Sequence, residues 1–270
     1  MFDATRQPGM QRSQGEASVA FDGARLVRLY QQGSAKALLP HVRGTPEVVF
    51  LNTSGGLTSG DRLGYALDLA GGARVVATTQ AAERAYRADQ GTAQVRVAHQ
   101  VGPGGWLDWL PQETILFDRA DLTRETSITL APDAGCLMLE AVVLGRAAMG
   151  ETLRDLHFSD NRRIERGGKP IFLELFLLNS NILAKGARSA LLGPARAFAT
   201  LVLAAPGAAD AVQSARAVLD EPGIEAAASA LDGLCVVRML APDGWPLRKQ
   251  IVKLMGALRR GAAPPRVWQL

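Results

Sequence analysis

Short segments that alternate apolar and polar residues dominate the first half of the chain. An alternation with a period of two is typical of strands that bury one face. Such segments occur at 17–21, 24–30, 47–51, 62–69, 74–79, 93–99, 105–110, 122–130 and 135–144. Turn-forming pairs, among them Asp22-Gly23 and Gly71-Gly72, separate them at intervals of roughly ten residues. This spacing predicts a mostly β fold of stacked or wrapped antiparallel sheets instead of βαβ units.

The remaining pattern adds two further strands and a few helices. A short helix is predicted at 81–88, and residues 156–179 predict two strands joined through Gly167-Gly168. Farther along, helical patterns cover 206–222 and 247–258, with a buried strand between them at 234–240. Because no long polar linker divides the chain, we expect a single domain over 1–270. Within it we expect a flexible segment at 1–16 and a mixed α/β part at 180–270, so the helices lie mainly towards the C-terminal end.

Composition and charge exclude several classes of protein. Hydrophobic residues make up 47% and charged residues 21% of the chain, which is ordinary for a folded protein. The formal charge of +4 is spread along the chain, and with 6% aromatic residues we expect no nucleic-acid partner. Neither a secretory signal nor an apolar run long enough for a membrane span is apparent, which indicates a cytoplasmic protein. Cys136 and Cys235 lie in apolar stretches and are expected to be core residues instead of a disulfide.

The stretch FLNTSGGLTSGDRL, residues 50–63, has two glycines at the spacing of a phosphate-binding loop. Asp61 and Arg62 occupy the positions where such a loop has lysine and serine or threonine, and a strand pattern follows where a helix is required. A nucleotide site is therefore not indicated. Asp61 instead presents a carboxylate that suits a cation or an arginine, or that caps the turn through the backbone.

Carboxylates within apolar sequence are the candidate functional groups. Glu140 in CLMLEAVVLG and Glu174 in PIFLELFLL are costly to bury unless they are paired, hydrated or bound to a cation. One interpretation turns each of them to solvent or pairs it with arginine; the other is a hydrated interior lined by acids. The three histidines are scattered and no CxxC or HExxH pattern occurs, so neither a preformed metal cage nor a catalytic or tight cofactor site is indicated.

Several stretches together resemble one known family, the urease accessory protein UreD, called UreH in some systems. They are LNTSGGLTSGDRL (51–63), TTQAAERAYRA (78–88), WLPQETILFDRADL (109–122), EAVVLGRAAMGE (140–151) and PPRVW (264–268). Ser59 departs from the family, which often has a second glycine there. The likeness is weaker after Asn179 until the C-terminal helix.

The resemblance implies a non-enzymatic maturation factor, a chaperone of nickel insertion. Its implied partners are apo-urease and UreF, and the GTPase UreG through UreF. It also implies a water-filled passage for nickel in transit, for which Asp61, Glu140 and Glu174 are the candidate residues. Oxygen donors hold nickel less firmly than imidazole or thiolate, which suits transit better than storage.

Two alternatives stay open at this point. The first is a pure scaffold that bridges urease to UreF and UreG without conducting nickel, so that the acids are structural. The second is a β-rich carbohydrate-active enzyme with paired carboxylates, which the family motifs disfavour. The surfaces that bind partners are unknown, and the arginine pairs 162–163 and 259–260 are either partner contacts or solubilising charge.

Overall fold

The computed structural model describes residues 12–146, 149–185 and 192–269. Strands form most of these residues, as the sequence predicts. The strands are β1 Gln14–Asp22, β2 Arg25–Gly33, β3 Ala35–Leu38, β4 Glu47–Asn52, β5 Arg62–Ala70, β6 Arg74–Thr79, β7 Glu83–Ala85, β8 Ala93–Val101, β9 Trp106–Trp109, β10 Thr114–Leu116, β11 Asp121–Leu130, β12 Gly135–Leu144, β13 His157–Arg166, β14 Lys169–Asn179, β15 Ala197–Ala204, β16 Glu225–Leu231 and β17 Leu234–Ala241. The α-helices are α1 Ser180–Ala184, α2 Val212–Arg216 and α3 Gly244–Leu258, and 3-10 turns lie at Ala208–Ala211 and Arg266–Trp268.

The strands form two stacked sheets. The first has seven strands in the order β14-β13-β11-β8-β5-β1-β2. The second has ten, of which β16-β17-β15-β12-β9-β6-β4-β3 form a continuous path, while β10 pairs with β12 and β7 beside that path. The chain wraps through both: β4, β6, β9 and β12 belong to the second sheet, and β5, β8, β11 and β13 between and after them belong to the first.

The prediction of antiparallel sheets is wrong for the wrapped middle of the molecule. The β1, β5, β8, β11 and β13 neighbours run parallel, as do β4, β6, β9 and β12. Successive strands enter different sheets, so the next strand in the same sheet comes one full circuit later and points the same way. A parallel ladder then needs no helical crossover. Antiparallel pairs occur at the ends, in β1-β2, β13-β14 and the β12-β15-β17-β16 group.

Two apolar cores hold these layers together. The larger lies between the two sheets and includes Phe50, Trp109 and Phe158. The smaller lies on the other side of the ten-stranded sheet, where α3 packs on β15 and β17. The helix α3 follows the predicted stripe: Leu247, Ile251, Leu254, Met255 and Leu258 are buried, and Asp243 caps its first turn by accepting from the Trp245 amide.

Other predictions met different outcomes. The strands joined through Gly167-Gly168 and the buried strand at 234–240 are confirmed, and both cysteines are buried and free. The helix predicted at 81–88 is wrong. Glu83–Ala85 instead form the strand β7, which pairs with β10, and Ala85 also forms an isolated bridge with Leu57 of the glycine loop. The flexible segment is wrong for 14–16, which belong to β1, while 1–11 lie outside the described residues.

Two further points complete the description. The helix predicted over 206–222 is shorter than expected, being a 3-10 turn followed by α2. The strands β3, β10, β15 and β16 were not predicted from the sequence. Among the described residues, none of the helices is sufficiently long and apolar to cross a membrane.

Candidate functional site

A cavity of about 130 Å³ penetrates between the two sheets. Its outer part is formed by the glycine loop and the 80–84 segment, where Gly55, Gln80 and Arg84 are exposed. Its inner part ends on side chains of the main core. The apolar lining includes Leu63, Tyr65, Val95, Val97, Trp109 and Leu122, and the polar lining includes Asn52, Glu83, Gln112, Thr114, Arg124 and Glu140.

The glycine loop forms one wall because it lies directly against the strand opposite. The Leu57 amide donates to the Arg84 carbonyl (2.7 Å), and the Tyr86 amide donates to the Leu57 carbonyl (2.8 Å). Gly56 has a φ of +147°, and a Cβ there would stand 2.3 Å from the Tyr86 ring. A side chain at this position would therefore force the loop and the 84–86 segment apart.

Asp61 is buried at the end of this loop, where it organises backbone. Its Oδ2 accepts from the Thr58 amide (2.9 Å) and its Oδ1 from the Ser13 amide (2.7 Å). The first contact confirms the turn-capping interpretation, and the second ties the chain entering β1 to the loop. Asp61 is not among the residues that line the cavity.

Glu83 is the acidic residue nearest the outer part of the cavity. Its carboxylate accepts from Asn52 Nδ2 at 3.3 and 3.4 Å and from the Arg84 amide at 3.1 Å. Burial disfavours the charged form and raises the pKa of Glu83 to about 7, despite these hydrogen bonds. At neutral pH this carboxyl is therefore divided between its protonated and ionised forms.

Glu140 closes the inner end of the cavity and is only 1% exposed. Its Oε1 accepts from Trp109 Nε1 and from Thr126 Oγ1, each at 3.1 Å, and its Oε2 lies 2.8 Å from Arg124 Nη1. Both oxygens are thus engaged. The cost of burying a carboxylate in this apolar strand is offset by a charge and two hydrogen bonds.

The strand register extends this ion pair into a chain of alternating charges. Arg124 on β11 lies beside Asp160 on β13, and its guanidinium donates to both Asp160 oxygens at 2.9 and 2.6 Å. Burial alone would lower the pKa of Arg124, but Asp160 and Glu140 outweigh it and raise that pKa. Arg124 and Arg162 likewise hold the pKa of Asp160 below its usual value although burial opposes them.

Glu174 continues the same chain towards the surface. Its Oε2 accepts from Arg162 Nη1 (2.7 Å) and its Oε1 from Arg238 Nε (3.0 Å) on the other sheet. The complete ion-pair chain is Glu140, Arg124, Asp160, Arg162, Glu174 and Arg238. Two predicted site residues, Glu140 and Glu174, are therefore joined through three intervening side chains, while Asp61 stands apart.

In each of the arginine pairs 162–163 and 259–260, one arginine forms a buried ion pair. Arg162 is 1% exposed and central to the ion-pair chain, whereas the Arg163 side chain is half exposed. Arg259 donates to Asp108 Oδ2 at 2.7 Å, and Arg260 is exposed. A description of both pairs as solubilising charge alone is wrong for Arg162 and Arg259.

The C-terminal segment, residues 264–268, holds the rim of the cavity. Trp268 donates from its indole to the Leu110 carbonyl (2.9 Å), and the Arg248 guanidinium stacks 4.4 Å above its ring. The same guanidinium donates to Gln112 Oε1 (2.5 Å), and Gln112 Nε2 donates to the Val267 carbonyl (3.3 Å). Gln112 lines the cavity, so a residue of its wall is fixed by the 264–268 segment and by Arg248.

His99 lies in the interior beyond this cavity, its ring 4.6 Å from that of Trp109. Neither ring nitrogen has a hydrogen-bond partner among the described residues, and burial lowers the pKa of His99 to about 3, so the imidazole is neutral. Within 12–146, 149–185 and 192–269, no three His, Cys, Asp or Glu side chains gather as a metal site.

Sequence analysis missed the residues on which the acids depend. Arg124 and Asp160 occur in strands with ordinary alternation. Each lies two residues after a core residue, Leu122 or Phe158, so the alternation itself places both side chains on the buried face. Glu83 was missed because 81–88 resembles a helix with an exposed polar face. The alanines on either side of Glu83 are unusual in an exposed strand, and they are the feature of the sequence that could have indicated this position.

The five stretches that carry the family resemblance meet at this cavity. Residues of 51–63, 78–88, 109–122 and 140–151 line it, and 264–268 holds Gln112 at its wall. A family model described as UreD urease accessory protein matches residues 13–269.

Curated relatives agree with that match. The urease accessory protein UreD of Cereibacter sphaeroides is 62% identical over 265 residues, covering 96% of each chain. That of Paracoccus denitrificans is 54% identical, covering 100% of this chain and 97% of the relative, and that of Rhizobium leguminosarum bv. viciae is 45% identical, covering 96% of each. The chain therefore belongs to the UreD family of urease accessory proteins.

Proposed function

We propose that this chain is a non-catalytic maturation factor that binds apo-urease and, with UreF and the GTPase UreG, supports delivery of nickel into the urease active site. In this proposal nickel is cargo and passes through the cavity between the sheets. The observation that carries the proposal is the convergence of all five family stretches on that cavity, four as lining and one as the support of Gln112.

The donors in the cavity suit a cation that must be released. Its lining offers carboxylate, amide and hydroxyl oxygens of Glu83, Gln112 and Thr114 but no imidazole or thiolate. Such oxygens bind a divalent nickel ion more weakly than nitrogen or sulfur donors do. Because the pKa of Glu83 is about 7, a nickel ion at this carboxylate competes with a proton, which weakens the hold further.

A specific observation favours the scaffold alternative for the other predicted residues. Both oxygens of Glu140 are already bonded to Trp109, Thr126 and Arg124, and both oxygens of Asp61 accept backbone amides. Their carboxylates are occupied by structural contacts. Glu83 accepts hydrogen bonds from only one side chain and one backbone amide, so it is the carboxylate of the cavity most available to a cation. A substitution of Glu83 therefore distinguishes nickel conduction from scaffolding.

The test is urease activation reconstituted from purified apo-urease, UreF, UreG, GTP, nickel and either this chain or its Glu83→Gln variant. The substitution keeps the shape and a hydrogen-bond acceptor but removes the ionised carboxylate. Glu125→Gln, at an exposed position on β11, is the matched control. We expect Glu83→Gln to lower nickel incorporation into urease and Glu125→Gln to leave it unchanged, with the complex intact for both by size-exclusion chromatography.

Two further variants address the predicted path. A nickel path through Asp61 and Glu140 requires that Asp61→Ala and Glu140→Ala lower nickel-dependent activation. Because both carboxylates already make structural contacts, we expect instead that folded variants activate urease normally and still co-purify with UreF and urease, and a thermal melt checks that each variant is folded. Normal activation by all three acid variants would establish the scaffold alternative. Failure of the unmodified chain to co-purify with UreF at several salt concentrations would contradict the proposal as a whole.

A further inference from the structure

The strand β2 is an edge of the seven-stranded sheet, and its residues are exposed with respect to the described part of the chain. It pairs with β1 along its length, and it lies at the end of the strand order, so that no described strand pairs with its other side. All nine residues of β2 are exposed. Native proteins usually protect such an edge with proline, lysine or a covering segment, since free backbone donors and acceptors recruit another strand.

The two faces of β2 differ in character. Leu29 and Gln31 pair with the core residues Val19 and Ala17 and therefore share their inward face. A bulge between Ala20 and Phe21 places Leu26 opposite Phe21, on that same face. The last strand of the other sheet, β3, spans only four residues, and Leu26 and Leu29 each remain 42% exposed, with Val27 at 50%.

The outward face of β2 is basic. Arg28 is opposite Ala20 and Arg25 opposite Asp22, so both guanidinium groups lie on the solvent side of the sheet. Arg25 contacts Asp22 at 3.5 Å, while Arg28 has no salt-bridge partner among the described residues. Besides these two arginines, the strand contains no charged residue.

We propose that the free edge of β2 binds an extended segment of a partner protein as an additional strand, and that this segment alternates apolar with acidic residues. Its apolar side chains pack beside Leu26 and Leu29 and its carboxylates face Arg25 and Arg28, with one extra residue opposite the bulge at Val27 that keeps the two halves in phase. Main-chain hydrogen bonds supply affinity in this mode of recognition, and alternate side chains supply specificity. Pairing with β2 of a second copy is disfavoured, because it would bring four arginines to one face of the junction.

The proposal is independent of nickel transfer and is tested on the full chain with synthetic peptides. The probe is a peptide of alternating valine and glutamate, with one added glutamate opposite the bulge at Val27, about ten residues long so that it spans β2. Controls replace glutamate by lysine or place proline at the centre. The measurement is amide hydrogen exchange, comparing β2 amides that point away from β1 with those of β14, the other edge of the same sheet.

We expect the acidic peptide at saturation to slow exchange of these β2 amides about tenfold and to leave β14 unchanged. The proline peptide should have no effect, and Arg28→Glu should transfer the preference to the lysine peptide. Equal protection by acidic and basic peptides, or none by either, would overturn the proposal. Protection that appears without peptide and rises with protein concentration would show self-pairing and would overturn it as well.

Discussion

Replacement of Glu83 by glutamine should change how the stability of the protein depends on pH. The folded-state pKa of Glu83 is raised from 4.5 to about 7 by burial. Between these values the folded protein binds more protons than the unfolded chain, so the free energy of unfolding falls as pH rises. Glu83 is thus most favourable to folding below its unfolded pKa, and this contribution is lost as pH rises through about 7.

The magnitude follows from the shift. A rise of the pKa from 4.5 to about 7 corresponds to about 3 kcal/mol, at about 1.4 kcal/mol per pKa unit. Glu83 is partly exposed, so solvent reduces the effect and we expect about 2 kcal/mol. Glutamine does not titrate and retains an acceptor for Asn52. The variant should therefore equal the original protein near pH 4 and exceed its stability by about 2 kcal/mol near pH 8.

Urea unfolding at several pH values between 4 and 8, followed by circular dichroism, measures this difference. The subtraction of the two stability curves removes the contributions of every other titrating group. Glu125→Gln provides the matched control, because that carboxylate is on the exposed face of β11 and its removal should leave the curve parallel to the original. If Glu83→Gln also gave a parallel curve, the argument that burial raises its pKa would be refuted.

Three further predictions concern the packing around the cavity. Arg124→Met leaves Glu140 without its counter-ion and should cost about 3–5 kcal/mol in urea unfolding, whereas adding Glu140→Leu should recover part of that loss. Trp268→Ala, at a site 3% exposed, should cost about 3–5 kcal/mol, while Trp245→Ala, at one 58% exposed, should change stability by less than about 1 kcal/mol in the same assay. Burial raises the pKa of Cys136 to about 12, so Ellman's reagent should label this thiol only after denaturation.

The strands were predictable because their signal is local. A period of two and turn-forming glycines located β5, β8, β11 and β12 to within a few residues. Whether neighbouring strands run parallel or antiparallel was not predictable, because alternation shows which face of a strand is buried but not which strand is its neighbour. The wrapped path that makes Arg62 the neighbour of Gln94 is set by turns whose geometry is not evident from residue type.

For the candidate site, too, the sequence identified residues with a local signal but not the partners that come from distant strands. Glu140 and Glu174 stand out in sequence because a carboxylate within apolar residues demands a partner. Their partners come from other strands: Arg124 from β11 and Arg238 from β17. Identification of those partners requires the register, because a shift of one residue would turn Arg124 out of the core.

The C-terminal segment has a consequence for the order in which the molecule is made. The Arg266 amide donates to Glu47 across 219 residues of sequence, and the Trp268 indole donates to the Leu110 carbonyl across 158 residues. Contacts so distant in sequence slow folding, because a long loop must close before they form. A nascent chain on the ribosome therefore lacks the support of Gln112 until residues 264–268 emerge. Completion of the cavity wall therefore waits for a segment that is made more than 150 residues after Gln112 itself.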